Sequence, residues 1–313
     1  MKAIEKAARL YRRLEPLFAC PVCGEPMRVP DERGRSLICP HRHAFDLSAK
    51  GYVNFLGAQR TRSTSSGYRK EAFLARRAML ERGLFEPVIE AVADVIKREV
   101  GAGNRAGGCM LFDAGCGEGY VTSAVVSRLR SIEGIASNAV GMDISAFGVA
   151  IACQHDDSIA WCVGNIAKRL PVVSGRCDAV TNLLAPCNGE EFRRVMCDDG
   201  VLVKAAPLED HFIELRAALY DRPRERPCTP DDATAEVAAW FGAVEAQRLT
   251  YGFDVGAECV PDVIRMSPLF WKARPERIAA AERSGLPRVT VDLAIIVAHP
   301  RRNRAGALRR RSS

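Results

Sequence analysis

Cys109-Met-Leu-Phe-Asp113-Ala-Gly115-Cys-Gly117-Glu118-Gly119 is an apolar run that breaks into a glycine-rich turn. Residues 120–130 continue with helical spacing, placing Val121, Ala124, Val125 and Leu129 on one face. Strand, Gly-x-Gly-x-Gly and helix, in that order, form the nucleotide-binding start of a doubly wound α/β sheet. A second strand, residues 139–143, ends at Asp143, 24 residues beyond Gly119. A carboxylate at that place accepts hydrogen bonds from ribose hydroxyls.

Two kinds of cofactor fit such a turn. A dinucleotide fingerprint reads G-x-G-x-x-G and seats a pyrophosphate on the helix N-terminus. This chain has G-x-G-x-G with an acid, Glu118, inside the turn and Asp113 before it. An acid there repels a pyrophosphate and suits the ammonium group of a methionine moiety, which favours S-adenosylmethionine (SAM). Asp113, Gly115, Gly117, Glu118, Gly119 and Asp143 are therefore the expected cofactor residues.

The alternation continues outward from that turn. Residues 159–163 form a third strand, 178–184 a fourth and 200–206 a fifth, with helical stretches at 146–154, 190–197 and 209–220. Residues 250–253 and 289–297 are β-rich and suggest a closing hairpin. The pattern predicts an α/β fold with a mostly parallel sheet and an antiparallel edge. Ligands should lie at the C-terminal ends of the first, second and fourth strands, with Asn165, after the third, beside the adenine.

Upstream, Cys20-Pro-Val-Cys23 and Cys39-Pro-His-Arg-His43 make the pattern C-x2-C-x15-C-x3-H. Zinc takes about four N/S ligands at tetrahedral corners, and a C-x2-C turn converges two thiolates on one ion. Residues 29–38, with 31–34 at the tip, read as the intervening hairpin. His41 competes for the fourth position, but C-x-H is too short a reach, so Cys20, Cys23, Cys39 and His43 are the expected ligands. Four protein ligands leave no open position, so the site should be structural. Loss of zinc should unfold this module and leave SAM affinity intact.

The chain has 313 residues and a net charge of +7, from 45 Lys+Arg against 38 Asp+Glu. No apolar run approaches the ~18 residues of a membrane span. The charge is uneven: residues 1–82 carry a balance of +9, residues 83–300 one of −8, and residues 301–313 six arginines and no acid. Basic ends around an acidic middle suggest a polyanionic partner. Arg60, Arg62, Arg69, Lys70, Arg76 and Arg77 are the expected phosphate contacts; the plainer alternative is a solvated helix face. The twelve cysteines are scattered, several in apolar runs, as expected for reduced thiols in a cytoplasmic protein.

These motifs converge. CPVC…CPHRHAFD, KGYVNFL, EAFLARRAMLERGLFEPV, DAGCGEGY…GMDIS, LLAPC and MSPLFWKARPE, in that order, resemble the bacterial large-subunit rRNA guanine-N1 methyltransferases of the RlmA type, tylosin-resistance enzymes included. The match runs from about Cys20 to about Val297. The resemblance implies a class I SAM-dependent methyltransferase domain at 105–300 that methylates N1 of a guanine. It implies a zinc module at 20–50 that helps recognise a 23S rRNA hairpin near the peptide exit tunnel. A basic helical extension (1–19), a basic linker with helices (51–104) and an Arg-rich tail (301–313) complete the organisation, and a homodimer is compatible with it. Gly117, Glu118 and His211 match cofactor contacts of the family, and Phe85 stands where relatives carry a tyrosine. Two departures stand out: Gly67-Tyr68-Arg69 lacks the family's acid, and Cys197-Asp-Asp-Gly200 replaces a Pro-Gly-Gly turn.

Methyl transfer is an in-line displacement, and the enzyme's main task is alignment. Guanine N1 must also lose a proton, and the base must be extruded from its stack. Asn182, Ala185 and Pro186, at the end of the fourth strand, are the expected residues at the target base, with the Ala185 carbonyl on its edge. Phe270 and Trp271 could stack on a base or belong to the core. Lys50 and Tyr52 could pack the zinc module on the catalytic domain. The competing readings are a small-molecule methyltransferase and a non-catalytic RNA-binding relative.

Overall fold

The computed structural model describes residues 1–30, 34–56, 70–101, 108–131, 137–221 and 229–301. In chain order, α1 (Ala3–Arg13) precedes a two-stranded antiparallel ribbon, β1 (Ser36–Ile38) and β2 (Ala44–Asp46), and a two-residue strand, β3 (Val53–Asn54). Helices α2 (Lys70–Glu81) and α3 (Glu86–Gly101) lead into β4 (Cys109–Ala114), α4 (Tyr120–Arg130), β5 (Ser137–Asp143), α5 (Ala146–His155), β6 (Ala160–Val163) and β7 (Cys177–Leu183). Then come α6 (Gly189–Val195), β8 (Met196–Pro207), α7 (Ile213–Leu219), α8 (Pro230–Ala238), β9 (Ala243–Asp254), α9 (Val260–Met266), α10 (Pro275–Ser284) and β10 (Arg288–His299).

Eight described strands form one sheet in the order β3-β6-β5-β4-β7-β8-β10-β9. Pairings from β3 through β8 are parallel, and β10 runs antiparallel to both β8 and β9. This is the doubly wound sheet with an antiparallel edge that the sequence predicts for a class I methyltransferase. The chain winds one way from β4 through β5 and β6, then returns to β7 on the other side. The crevice of such a sheet opens at that reversal, beyond the C-terminal ends of β4 and β7.

The central strands are apolar on both faces, as a sheet covered on both sides requires. Leu111, Ala139, Ala179, Val201 and Val203 face one buried cluster with α3 and α4; Phe112, Val140, Val180 and Leu202 face the other. That second cluster also holds Leu10, Tyr11, Leu14 and Phe18 from the N-terminal segment, and Cys20, Met27, Leu37 and Cys39 from the cysteine module. The N-terminal module and the catalytic sheet therefore share one core. Tyr11 donates its hydroxyl to the Trp161 carbonyl, and Phe18 bridges to Val172. From the KGYVNFL segment, Val53 and Asn54 pair with Cys162 and Val163, so this segment forms the edge strand of the sheet. The sheet thus reaches outside the expected 105–300 boundary.

Several boundaries differ from the sequence reading. The helix expected at 190–197 stops at Val195, because Met196 already pairs with Cys177. The helix expected at 209–220 starts only at Ile213, because Phe212 sits in the left-handed region at φ 54°. The strand expected at 250–253 spans Ala243–Asp254, drawn out by its full-length pairing with β10. In the expected 29–38 hairpin, Arg28 and Ile38 exchange backbone hydrogen bonds; its tip lies outside the described residues. No described helix is long and apolar enough to cross a membrane, and no disulfide joins the described cysteines.

Candidate active site and metal centre

The glycine turn leaves β4 with all three glycines at positive φ. Two of them are demanded by packing. A Cβ on Gly115 would collide with the Ala185 side chain, and one on Gly119 with Ala152 and Trp161. Gly117 differs, because the space where its Cβ would point is open to 4 Å. The turn thus presents one bare backbone segment, at Gly117, to a cavity of about 200 Å3. That cavity is bounded by Gly115 after β4, Asp143 after β5, Asn165 after β6 and Leu183–Pro186 after β7. It lies where the sheet reversal predicts.

Each acid near the turn has a distinct task. Asp143 accepts from Gly117 N at 3.0 Å and from Ser145 N at 2.8 Å, so it fixes the turn from below while bordering the cavity. Asp113 is turned away from the cavity. It accepts from Thr122 Oγ1 and, at 2.8 Å, from Thr181 Oγ1, tying β4 to α4 and β7. Burial pushes its carboxyl up to about 6, against the two hydroxyl bonds. Glu118 is buried at 1% exposure, and burial raises its carboxyl against the pull of Arg76. Asn165 accepts from Ala167 N at 2.9 Å, which closes the turn after β6.

The end of β7 is held from behind. Asn182, fully buried, donates to the carbonyls of Ala114 at 2.8 Å and Pro186 at 3.0 Å. Lys204 of β8 donates to Asn182 Oδ1 at 2.9 Å and to the Ala185 carbonyl at 3.3 Å. The Ala185 carbonyl, expected on the guanine edge, is thus already engaged by an ammonium group. Leu184, between them, holds φ 55°. A leucine in the left-handed region costs energy and persists only where its surroundings dictate it.

A second cavity, of about 540 Å3, adjoins the first; Arg76 and Leu184 line both. Phe85, His211, Phe212, Arg216, Tyr220 and Lys272 also line it. Two residues expected at the cofactor, Phe85 and His211, therefore sit in this second space. His211 Nδ1 accepts from Asp292 N at 3.3 Å. Burial pulls the ring's titration down to about 4, so at neutral pH the ring is uncharged and its proton sits on Nε2. His211 is a hydrogen-bond donor there, which removes it as a general base. Asp292, fully buried and bonded to Arg248 and Thr250, holds this arrangement from the sheet. Phe270 packs against the core, and Trp271 is 40% exposed.

The basic residues divide. Arg60, Arg62, Arg69 and the 67–69 departure lie outside the described residues, as does the tail beyond 301. Arg76 was expected on phosphate; instead it is turned inward, with Nε 3.4 Å from Glu118 Oε2. The buried acid in the turn, invisible to a charge count, draws it there. Arg77 bonds Glu81 at 2.8 Å and lies over the Tyr120 ring. Lys204 and Asp292 carry no motif; only their place on β8 and β10, opposite Asn182 and His211, marks them.

At the other end of the molecule, Cys20, Cys23, Cys39 and His43 bring their ligand atoms within 4.8 Å of one another. Cys20 Sγ and Cys39 Sγ lie 3.5 and 3.4 Å from His43 Nδ1, and Cys23 Sγ lies 3.7 Å from Cys39 Sγ. A zinc tetrahedron with ~2.3 Å Zn–S bonds has edges of about 3.8 Å, so these three separations match its edges and the four groups are gathered as zinc requires. Arg42 at φ 64° makes the tight return that brings His43, and leaves His41 exposed. All four positions are taken by protein, so the ion is structural.

Comparison with known proteins agrees with this geometry. Residues 18–64 match the zinc-ribbon family model described as RlmA, N-terminal. YxjB of Bacillus subtilis (strain 168), provisionally named as a 23S rRNA (guanine-N(1)-)-methyltransferase, is 32% identical over 283 residues, covering 90% of this chain and 96% of that protein. The 23S rRNA (guanine(748)-N(1))-methyltransferase of Streptomyces fradiae is 30% identical, with the same coverage. A protein of Micromonospora griseorubida with a similar provisional name is 29% identical over 304 residues, covering 93% of this chain and 99% of that protein. With its zinc ribbon, doubly wound sheet and near full-length likeness to these enzymes, the chain belongs to the 23S rRNA (guanine-N1-)-methyltransferase family.

Proposed function

We propose that the protein methylates N1 of a guanine in a 23S rRNA hairpin near the peptide exit tunnel, with SAM as methyl donor. The observation that carries this reading is the pair of adjoining cavities that share Arg76 and Leu184. One lies against the glycine turn and suits a cofactor. Its neighbour is walled by Phe85, Phe212 and Tyr220 and edged by three cations. A nucleobase fits such a wall through its π-faces.

When bound, SAM supplies an electrophilic methyl group. Gly117 offers bare backbone beside it, and Asp143 borders the ribose end. Asn182, Ala185 and Pro186 form the wall between donor and acceptor, which fixes their approach. His211 Nε2–H points a neutral donor into the base cavity, suited to the guanine O6. Guanine N1 must surrender its proton, and no carboxylate lines this cavity among the described residues. Arg76, Arg216 and Lys272 do line it, and positive charge stabilises the anionic, deprotonated base. On this reading, solvent at the cavity mouth takes the proton and the cations make its loss favourable.

The zinc module (20–50) and basic linker (51–104) supply RNA contacts and the 105–300 domain the chemistry, in the cytoplasm where ribosomal RNA resides. Mass-spectrometric mapping of 23S rRNA from a deletion strain tests the reading. One N1-methylguanosine should disappear and return with the gene; an unchanged 23S rRNA overturns it.

A further inference from the structure

His211 stands on the turn between β8 and α7, and one residue of β10 grips that turn at three points. The Asp292 carbonyl accepts from Leu208 N at 3.0 Å, its carboxylate accepts from Asp210 N at 3.1 Å, and its own N–H donates to His211 Nδ1 at 3.3 Å. Asp292 is fully buried, and a charge so placed needs a partner. The partner comes from the edge strand. Arg248 of β9 donates to Asp292 Oδ1 through Nε at 2.8 Å and to Oδ2 through Nη2 at 2.9 Å, a forked pair, and Thr250 Oγ1 adds a bond at 2.7 Å. The same Nη2 reaches Asp210 Oδ2 at 3.2 Å and lies 3.9 Å from Glu209. Arg248 thus ties the buried acid of β10 to both acids of the turn. Burial would raise the Asp292 carboxyl, and Arg248 and Thr250 hold it below its ordinary value.

We propose that Arg248 is a positioning residue for methyl transfer: through Asp292 it holds the His211 ring with Nδ1 seated on the sheet and Nε2–H turned to the target base. This rests on the reading of the second cavity as the base site. Arg248 lines neither cavity, and its side chain is 43% exposed. It acts through charge as well as place. Glu209, Asp210 and Asp292 lie behind the ring with Arg248 among them. Arg216 of α7 donates to the His211 carbonyl at 3.0 Å, and Arg76 and Lys272 line the cavity in front. Glu214, the acid of α7, is spent on Thr290 N and Oγ1. Without Arg248 the Asp292 carboxylate is uncompensated and favours a protonated ring. A proton on Nδ1 would then meet the Asp292 N–H donor to donor, and the turn would have to give.

Nitrogen NMR of the histidine side chains in the full chain, followed through a pH titration, tests this beside single-turnover methylation of an unmodified 23S rRNA transcript. The wild type should show His211 as the Nε2–H tautomer. Arg248→Gln should raise the titration of that ring by about one pH unit or more and slow methylation about tenfold. Arg248→Lys, which keeps the charge and loses the fork, should restore the titration and only part of the rate. Adding Asp292→Asn to Arg248→Gln should bring the titration back down without restoring the rate, because the bare charge is gone and the grip is not. An unmoved His211 titration in Arg248→Gln overturns the proposal. If that variant does not fold, Arg248→Lys decides, and a wild-type rate in it overturns the proposal as well. The NMR readout needs no catalysis, so the expected shifts in a chain that leaves the transcript unmethylated would support the role of Arg248 and overturn the base-site reading beneath it.

Discussion

The Lys204 ammonium lies 2.9 Å from the side-chain oxygen of Asn182, and both side chains are buried. This contact decides which way the Asn182 amide faces. With its oxygen held by Lys204, its nitrogen must point at the Ala114 and Pro186 carbonyls. The spacing between the glycine turn and the loop after β7 therefore depends on a lysine outside both cavities. Lys204→Met should leave the Asn182 oxygen without a donor and cost about 1–3 kcal/mol in denaturant unfolding. Single-turnover methyl transfer should fall about tenfold to a hundredfold, while SAM affinity by calorimetry changes less than about threefold.

His211 gives a second test. Its folded titration is depressed to about 4, below the usual ~6.5. Between those values the unfolded chain binds a proton that the folded one does not, so this residue's contribution to stability is full above pH 6.5 and is lost as pH falls toward 4. The methylation rate should show no inflection from this ring near pH 6.5. His211→Gln, which retains an N–H donor, should keep more activity than His211→Ala. A pH–rate profile that loses an inflection near 6.5 in His211→Gln would refute the donor assignment.

Asp113 shifts the other way. Its folded carboxyl titrates at about 6, above the ~3.9 of a free aspartate. Between these values the folded state holds the extra proton, so stability is greatest below pH 4 and falls as pH rises through 6. The shift is worth roughly 3 kcal/mol. Guanidinium unfolding of Asp113→Asn and wild type at pH 4 and pH 7 should show the wild type losing roughly that much more across the interval.

The glycines separate packing from binding. Gly115→Ala drives a methyl into Ala185 and should destabilise the fold and abolish SAM binding together. Gly117→Ala meets nothing in the protein but must hold a left-handed φ of 58°, and should cost about 1–2 kcal/mol. With the cofactor seated as proposed above, it should also weaken SAM about tenfold or more, because Gly117 lines that cavity and the space its added methyl would enter is open. Differential scanning calorimetry beside ligand titration distinguishes the two.

Zinc removal is the last test. Cys20 and Cys39 share a core cluster with Phe112 and Val140, so the module is not free to melt alone. Cys23→Ala should release zinc and lower the melting temperature of the whole chain in a single transition. It should weaken SAM binding, because β3 pairs with β6 just before Asn165. A separate low-temperature transition with unchanged SAM affinity would show the modules to be independent, as the sequence spacing alone suggests.

The parts legible in the sequence were those with local signatures. The strand–turn–helix at 109–130, the alternation after it and the Cys3His spacing each depend on residues close in the chain. The choice of His43 over His41 followed from reach, and the geometry agrees. What escaped was set by partners far away. Arg76 reads as a surface cation until Glu118, 42 positions on, is seen to be buried beneath it. His211 reads as a cofactor contact until it is found lining the second cavity, with Asp292 N bonded to its Nδ1. The left-handed Phe212 and Leu184, both bordering the cavities, carry no glycine to announce them.

The two-residue strand Val53–Asn54 has a consequence in time. Its partners, Cys162 and Val163, come more than a hundred positions later in the chain. Translation at ~5–20 residues per second puts several seconds between them. During that interval the zinc ribbon has left the ribosome with nothing to close against. The ion can reach its four ligands early, but the surface that will bury Phe18 and Leu37 arrives late. Newly made copies therefore pass through an interval in which the apolar side chains of the N-terminal segment wait on the strands that will cover them.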